Sequence, residues 1–295
     1  MEQLVARLQT EAVDLAMVGE AWLPQLRSHL KPFGHPSLFK PLLGAGRDPS
    51  VLGGTMESPM AFPWAFGSWV MVFRSRQAWA ERARSQGWSL LADQELKNAW
   101  ILPASPRVVM ALALQSLGES PNTRDLSRVD GLAGRLATVV GQARAFDSRD
   151  ALTRLVNGHG EAAVMPSWTV IPQLLPDQRL VAVRPTNVPP LLSWQVLVRP
   201  RQAGPVPLPW LHGVTTGKPL NALLQAGFCP PLPVNALQPQ LAHQPAAALL
   251  HPGDTLVNRG ETLESLGPEQ QKQYQEFWDQ AMERRLQDGS TGVDG

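Results

Sequence analysis

Phe62-Pro63-Trp64-Ala65-Phe66-Gly67-Ser68-Trp69-Val70-Met71-Val72-Phe73-Arg74 is the stretch from which the rest of the chain can be read. Proline cannot donate to a strand ladder, so Pro63 predicts the entry edge of a strand. The apolar alternation from Trp69 to Phe73 predicts the strand itself. Trp64 and Phe66 then fall in an aromatic turn at the strand mouth, where wide rings are available to line a cleft.

Moving outward, short apolar runs alternate with amphipathic stretches, the pattern of an α/β architecture. Asp14–Val18 predicts a buried strand closed by Gly19. Glu20–Leu30 predicts a helix, with Trp22, Leu23, Leu26 and Leu30 on one face. Segment 31–60 reads as loop, and Gln77–Gln86 as a helix. Leu96–Pro103 holds a strand feeding a helix that Ser105 caps, with Pro106 at its first position, Val108–Leu117 as its apolar run and Gly118 at its end. A helix over Arg128–Val140 and a strand over Ala143–Phe146 follow. Asp147-Ser148 caps a helix to Val156 that Asn157-Gly158 closes. Ala162–Met165 is a strand that breaks at Pro166, with a helix after Trp168. Leu180–Val183 and Trp194–Val198 are further strands. Segment 203–250 is rich in proline and leucine, Glu269–Leu286 is the last helix, and the tail 287–295 is expected to be disordered.

Composition narrows the function. With 295 residues, 43% apolar and 17% charged, the chain can bury a substantial core as one large domain or two lobes. A net charge of +1 argues against a nucleic-acid partner, which needs a clustered cationic excess. The local concentrations Arg74, Arg76, Arg82, Arg84 and Arg199, Arg201 are interleaved with neutral residues and read as solvated faces. Cys229 stands alone, so no intrachain disulfide and no cysteine metal cluster is expected; its neighbours Phe228, Pro230 and Pro231 suggest a buried, inert thiol. The six histidines never fall at i, i+4 spacing or beside a cysteine, so neither a metal nor another cofactor is expected. The start shows no signal peptide, and no apolar run is long enough to span a membrane. Ten tryptophans against the single Tyr274 suit a protein that uses broad ring faces.

Five segments, in order, carry a resemblance: Asp14-Leu15 through Gly19-Glu20-Ala21-Trp22-Leu23; Phe62-Pro63-Trp64 through Gly67; Trp88-Ser89-Leu90-Leu91 with Leu96-Lys97; Leu117-Gly118 with Asn122-Thr123; and Gly160-Glu161 through Trp168. Together they resemble the periplasmic spermidine/putrescine-binding proteins, family-1 extracellular solute-binding proteins of ABC importers, and above all their cyanobacterial branch. The likeness spans about residues 10–280. It implies a type II periplasmic binding protein-like α/β fold of two lobes joined by a hinge near Asn98 and Trp194–Val198. Residues 1–97 plus 199–240 would form lobe one, and 98–198 plus 241–286 lobe two. The chain would start inside lobe one, with that lobe's first strand missing. It further implies a periplasmic, monomeric protein, not an enzyme, that binds a small solute such as a polyamine and works with ABC permease subunits.

The same resemblance places Trp64 and Trp168 on aromatic ligand-lining positions. The family's acidic pair at the start of the long helix falls on Ser105 and Val108, and its acid on the crossing strand falls on Gln195. Glu20 is the one carboxylate left at a strand mouth. The candidate ligand residues are therefore Trp64, Phe66, Trp168, Gln195, Glu20 and Ser105. Each has a plainer reading. Trp168 can simply pack, and Ser105 is first of all a helix cap. Glu20 can be the dipole partner of its own helix. Only one of Trp194 and Gln195 can face a cleft, and a polar group inside a strand needs a partner, which favours Gln195. A singly charged or neutral polar solute suits this set better than a polyamine. Ser105 and the helix start at Arg107 could equally hold a ligand's carboxylate or phosphate. Two alternatives stand beside the receptor: a degenerate relative that no longer transports, and an enzyme using the same cleft. No Gly-x-Ser-x-Gly elbow, Gly-rich phosphate loop or His-Glu-x-x-His pattern favours the last.

Overall fold

The protein was analysed as a computed structural model that describes residues 2–74, 77–174, 176–177, 179–214 and 216–290. Arg76 and the end of the expected disordered tail, 291–295, lie outside the described residues. The strands are β1 Ala16–Gly19, β2 Leu30–Lys31, β3 Ala61–Arg74, β4 Trp100–Leu102, β5 Ala143–Phe146, β6 Ala162–Pro166, β7 Leu180–Val183, β8 Leu191–Pro200 and β9 Glu261–Thr262. The chain divides into two compact units: residues 1–68 with 190–265, and residues 69–189 with 266–295.

In the first unit β8 lies between β1 and β3, antiparallel to both, with β2 antiparallel and β9 parallel to its two ends. Met17 pairs with Leu197 and Gly19 with Gln195 on one side; Phe62 pairs with Leu197 and Phe66 with Trp194 on the other. Phe33, Phe39 and Phe62 form the aromatic centre of this unit's core, with centroids 5.5–6.2 Å apart. Leu38, Leu42, Leu52, Leu197 and Leu211 close around them. These rings bury wide apolar area, and edge contacts add about 0.5–1.5 kcal/mol per pair.

In the second unit the last part of β3 pairs antiparallel with β6 and β7, while β4 runs parallel to both β6 and β5. All of Trp100-Ile101-Leu102 is buried, as a central parallel strand covered on both faces requires. The helix Pro268–Ser290 is fixed to this unit by polar ties as well as packing. Tyr274 donates to the Thr123 carbonyl at 2.9 Å, Gln273 Oε1 accepts the Leu126 N–H at 2.8 Å, and Arg285 donates to the Ala143 carbonyl at 2.8 Å. Trp278 meets Phe146 edge-on at 5.5 Å.

Several local expectations change. Phe62–Gly67 is not a turn: it belongs to a single 14-residue strand, β3. The ladder absorbs Pro63 because the register shifts between Pro63 and Ala65, leaving Trp64 as the extra residue of a β-bulge. Glu20–Leu30 is not one helix but a 3₁₀ turn (Glu20–Trp22), one α-turn (Leu23–Leu26) and another 3₁₀ turn (Arg27–His29) before β2. The helix expected from Arg128 begins at Leu132, because Gly131 holds a left-handed φ of 76° at its start. The last helix continues past Leu286 to Ser290, into the expected tail.

Candidate functional site

The bulge decides where Trp64 goes. Along β8, Gln195 and Leu197 share one sheet face, and Trp194 and Val196 the other. Trp64, set opposite this stretch as the bulged residue, lines a groove with Leu197 and Met17. Its ring lies flat against Trp210, with centroids 5.5 Å apart and planes 7° from parallel. The indole is half-buried, packed against the core but not enclosed by it. Trp210 sits on the helix Leu208–Val214 and is 47% exposed. Sequence reasoning passed over it, because a tryptophan inside a proline-rich segment carries no periodic signal that assigns it a partner.

Glu20 and Gln195 are near neighbours. Gly19 pairs with Gln195 across β1 and β8, and the Glu20 carboxylate accepts the Trp194 backbone N–H at 3.0 Å. Burial pushes the Glu20 carboxyl up to about 7, against the stabilising N–H bonds from Trp194 and from its own backbone. Near neutral pH it is thus poised between an acceptor-only anion and a neutral acid that can also donate. Gln195 is half-buried and Trp194 wholly buried. The Trp194 indole N–H donates to Thr262 Oγ1 at 2.8 Å. Phe66 is 2% exposed and occupies the Trp194 face, 5.6 Å from that ring and 5.7 Å from His251.

In the second unit Ser105 and Trp168 come to the same sheet edge. β4 and β6 are parallel, so the loops leaving their carboxyl ends open in the same direction, the usual place for ligand residues in such sheets. Ser105 follows β4 and caps the helix Pro106–Ser116, its Oγ accepting the Val108 N–H at 3.4 Å. Trp168 follows β6 as a half-buried residue at the start of the helix Ser167–Leu174. At the helix start the Arg107 guanidinium is already engaged: it donates to the Pro121 carbonyl at 2.6 Å and Asn122 Oδ1 at 2.7 Å, and lies 4.9 Å over Tyr274.

Cys229 is buried, and burial pushes its thiol up, so it is neither a poised nucleophile nor a ready metal ligand. Among the described residues no group of three or more His, Cys, Asp or Glu could hold a metal ion. No helix among them is long and apolar enough to cross a membrane.

No family model and no curated relative matches the sequence. Solved structures do match. The spermidine/putrescine ABC transporter substrate-binding protein PotD from Streptococcus pneumoniae, in complex with calcium and HEPES, superposes with a TM-score of 0.74 at 18% identity, covering 96% of this chain and 88% of that one. The fold is that of the type II periplasmic binding proteins. The TpPotD lipoprotein of Treponema pallidum gives a TM-score of 0.66 at 16% identity, over 95% of this chain and 88% of that one. A eukaryotic thiaminase-I bound to 3-deazathiamin gives 0.62 at 15% identity, over 94% and 85%. The same fold therefore serves solute binding and catalysis, and side chains rather than topology must decide between them.

Proposed function

We propose that this protein is the solute-binding component of an ABC import system, a periplasmic receptor that passes a small polar ligand to membrane permease subunits. The observation that carries the reading is the near-complete match of its fold to a spermidine/putrescine substrate-binding protein, over 96% of the chain. Within the first unit Trp64, Gln195 and Glu20 are proposed for ligand contact, with Phe66 supporting the β3–β8 pair from behind; within the second, Ser105 and Trp168 are proposed for it. Aromatic faces suit the apolar part of an amine-bearing solute, and a cation over a ring adds about 0.5–2 kcal/mol.

The anionic complement is thin. Ser105, Val108 and Gln195 stand where the family resemblance calls for acids, which leaves Glu20, and its carboxyl is half-neutral near pH 7. A singly charged or neutral polar solute is therefore the favoured ligand over a di- or tri-cationic polyamine. The same shortage of carboxylates favours one second reading: a folded relative of the polyamine-binding proteins that no longer transports.

A thermal-shift panel of polyamines, monoamines, amino acids and sugars separates the two. A ligand at about 100 times its Kd adds roughly 2.7 kcal/mol of stability, a readily measured rise in Tm. A receptor shows that rise for at least one class and loses it in Trp168→Ala. A folded protein that responds to nothing in the panel sinks the receptor reading.

A further inference from the structure

The groove beside Trp64 has features that solute import does not require. It is an open groove of about 480 Å³ lined by Leu15, Met17, Trp64, Leu197, Pro207 and Trp210, all of the first unit. A volume of that size suits a small organic molecule. Among the described residues no acidic or basic side chain lines it. Among the described residues, two of the four exposed large hydrophobics, Met17 at 53% and Trp210 at 47%, sit in this single groove. Scattered apolar residues on a surface need no explanation, but a cluster that stays uncovered does.

The geometry points to an apolar ligand site in the first unit that takes a flat, uncharged organic ring system. Trp210 stacks on Trp64 and is still 47% exposed, so indole surface remains uncovered for a planar guest. Leu197, 4% exposed and backed by the core, forms a rigid floor. The Met17 thioether supplies a polarizable, adaptable edge. With no charge among these lining residues, an ionic guest finds no counter-charge here, which favours an uncharged one. This site shares Trp64 with the proposed import ligand but does not depend on import.

Titration of the full chain with N-phenyl-1-naphthylamine, a flat uncharged fluorophore, tests it. The expected result is saturable, one-to-one enhancement, weakened about tenfold or more by Trp210→Ala and, separately, by Met17→Glu. Both positions are largely exposed, and unchanged circular dichroism confirms that the variants fold. Trp22→Ala removes an exposed ring that does not line the groove, and should leave the affinity unchanged. The proposal is overturned if the wild-type protein shows no saturable binding, if both groove variants bind like wild type, or if Trp22→Ala weakens binding as much as they do. A silent panel of polar solutes would count against import while leaving this titration intact.

Discussion

Glu20→Gln should stabilise the protein at neutral and alkaline pH and have little effect in acid. Burial raises the Glu20 carboxyl from its ordinary 4.5 to about 7, so the folded protein keeps a proton that the unfolded chain has released over that interval. Stability linked to this group is fully present below pH 4.5 and is lost as the pH rises through 7. At about 1.36 kcal/mol per pH unit, the interval corresponds to roughly 3 kcal/mol; this is an upper bound, because the residue is only half-buried and water screens part of the cost. Gln offers the same acceptor oxygen to the Trp194 N–H without the charge, so it removes the penalty and keeps the bond. With an unfolding entropy of about 2.1 cal/mol/K per residue, the full effect is a rise of roughly 5 °C in Tm. Calorimetric scans of both proteins from pH 4 to 8.5 should give a Tm difference near zero at the acid end, growing between pH 5 and 7.5 and then level. A difference that stays constant across this range would refute the assignment of a raised carboxyl at Glu20.

Other substitutions separate structural from ligand roles. Ser105→Ala removes the cap on the Val108 N–H and should cost about 1 kcal/mol in urea unfolding; a loss of ligand response beyond that would place the hydroxyl on the ligand. Phe66→Ala empties a buried site between Trp194 and His251 and should cost about 3–5 kcal/mol, read as a lower urea midpoint with unchanged slope. Cys229 should resist iodoacetamide at pH 8 in the native protein and label fully in denaturant, as mass spectrometry would show; rapid native labelling would contradict its burial.

Local chemistry made much of this protein legible in its sequence. Ser105-Pro106 announced the helix Pro106–Ser116 because a hydroxyl cap and a proline at the first position each satisfy the helix start without outside help. The apolar runs at β1, β5, β6 and β7 were readable for the same reason, since short strands bounded by Gly, Pro or Asp carry their limits with them; the burial expected of the run Asp14–Val18 was not met, because β1 buries only Val18 and leaves Met17 53% exposed. The alternation of such elements gave an α/β architecture, and the resemblance of five ordered segments to the spermidine/putrescine-binding proteins implied the type II periplasmic binding protein fold.

What only the tertiary structure decided depends on partners distant in sequence. Pro63 looked like the edge of a strand, but pairing with β8 turned that edge into a bulge within a longer strand, and the extra residue it created is what aims Trp64. The partner of that ring, Trp210, is supplied by a helix in the proline-rich segment that no spacing rule ties to it. The raised carboxyl of Glu20 comes from burial beside β8, 174 positions along the chain. Strand and helix signals are written in neighbouring residues, whereas desolvation, ring stacking and register exist only once remote segments have met.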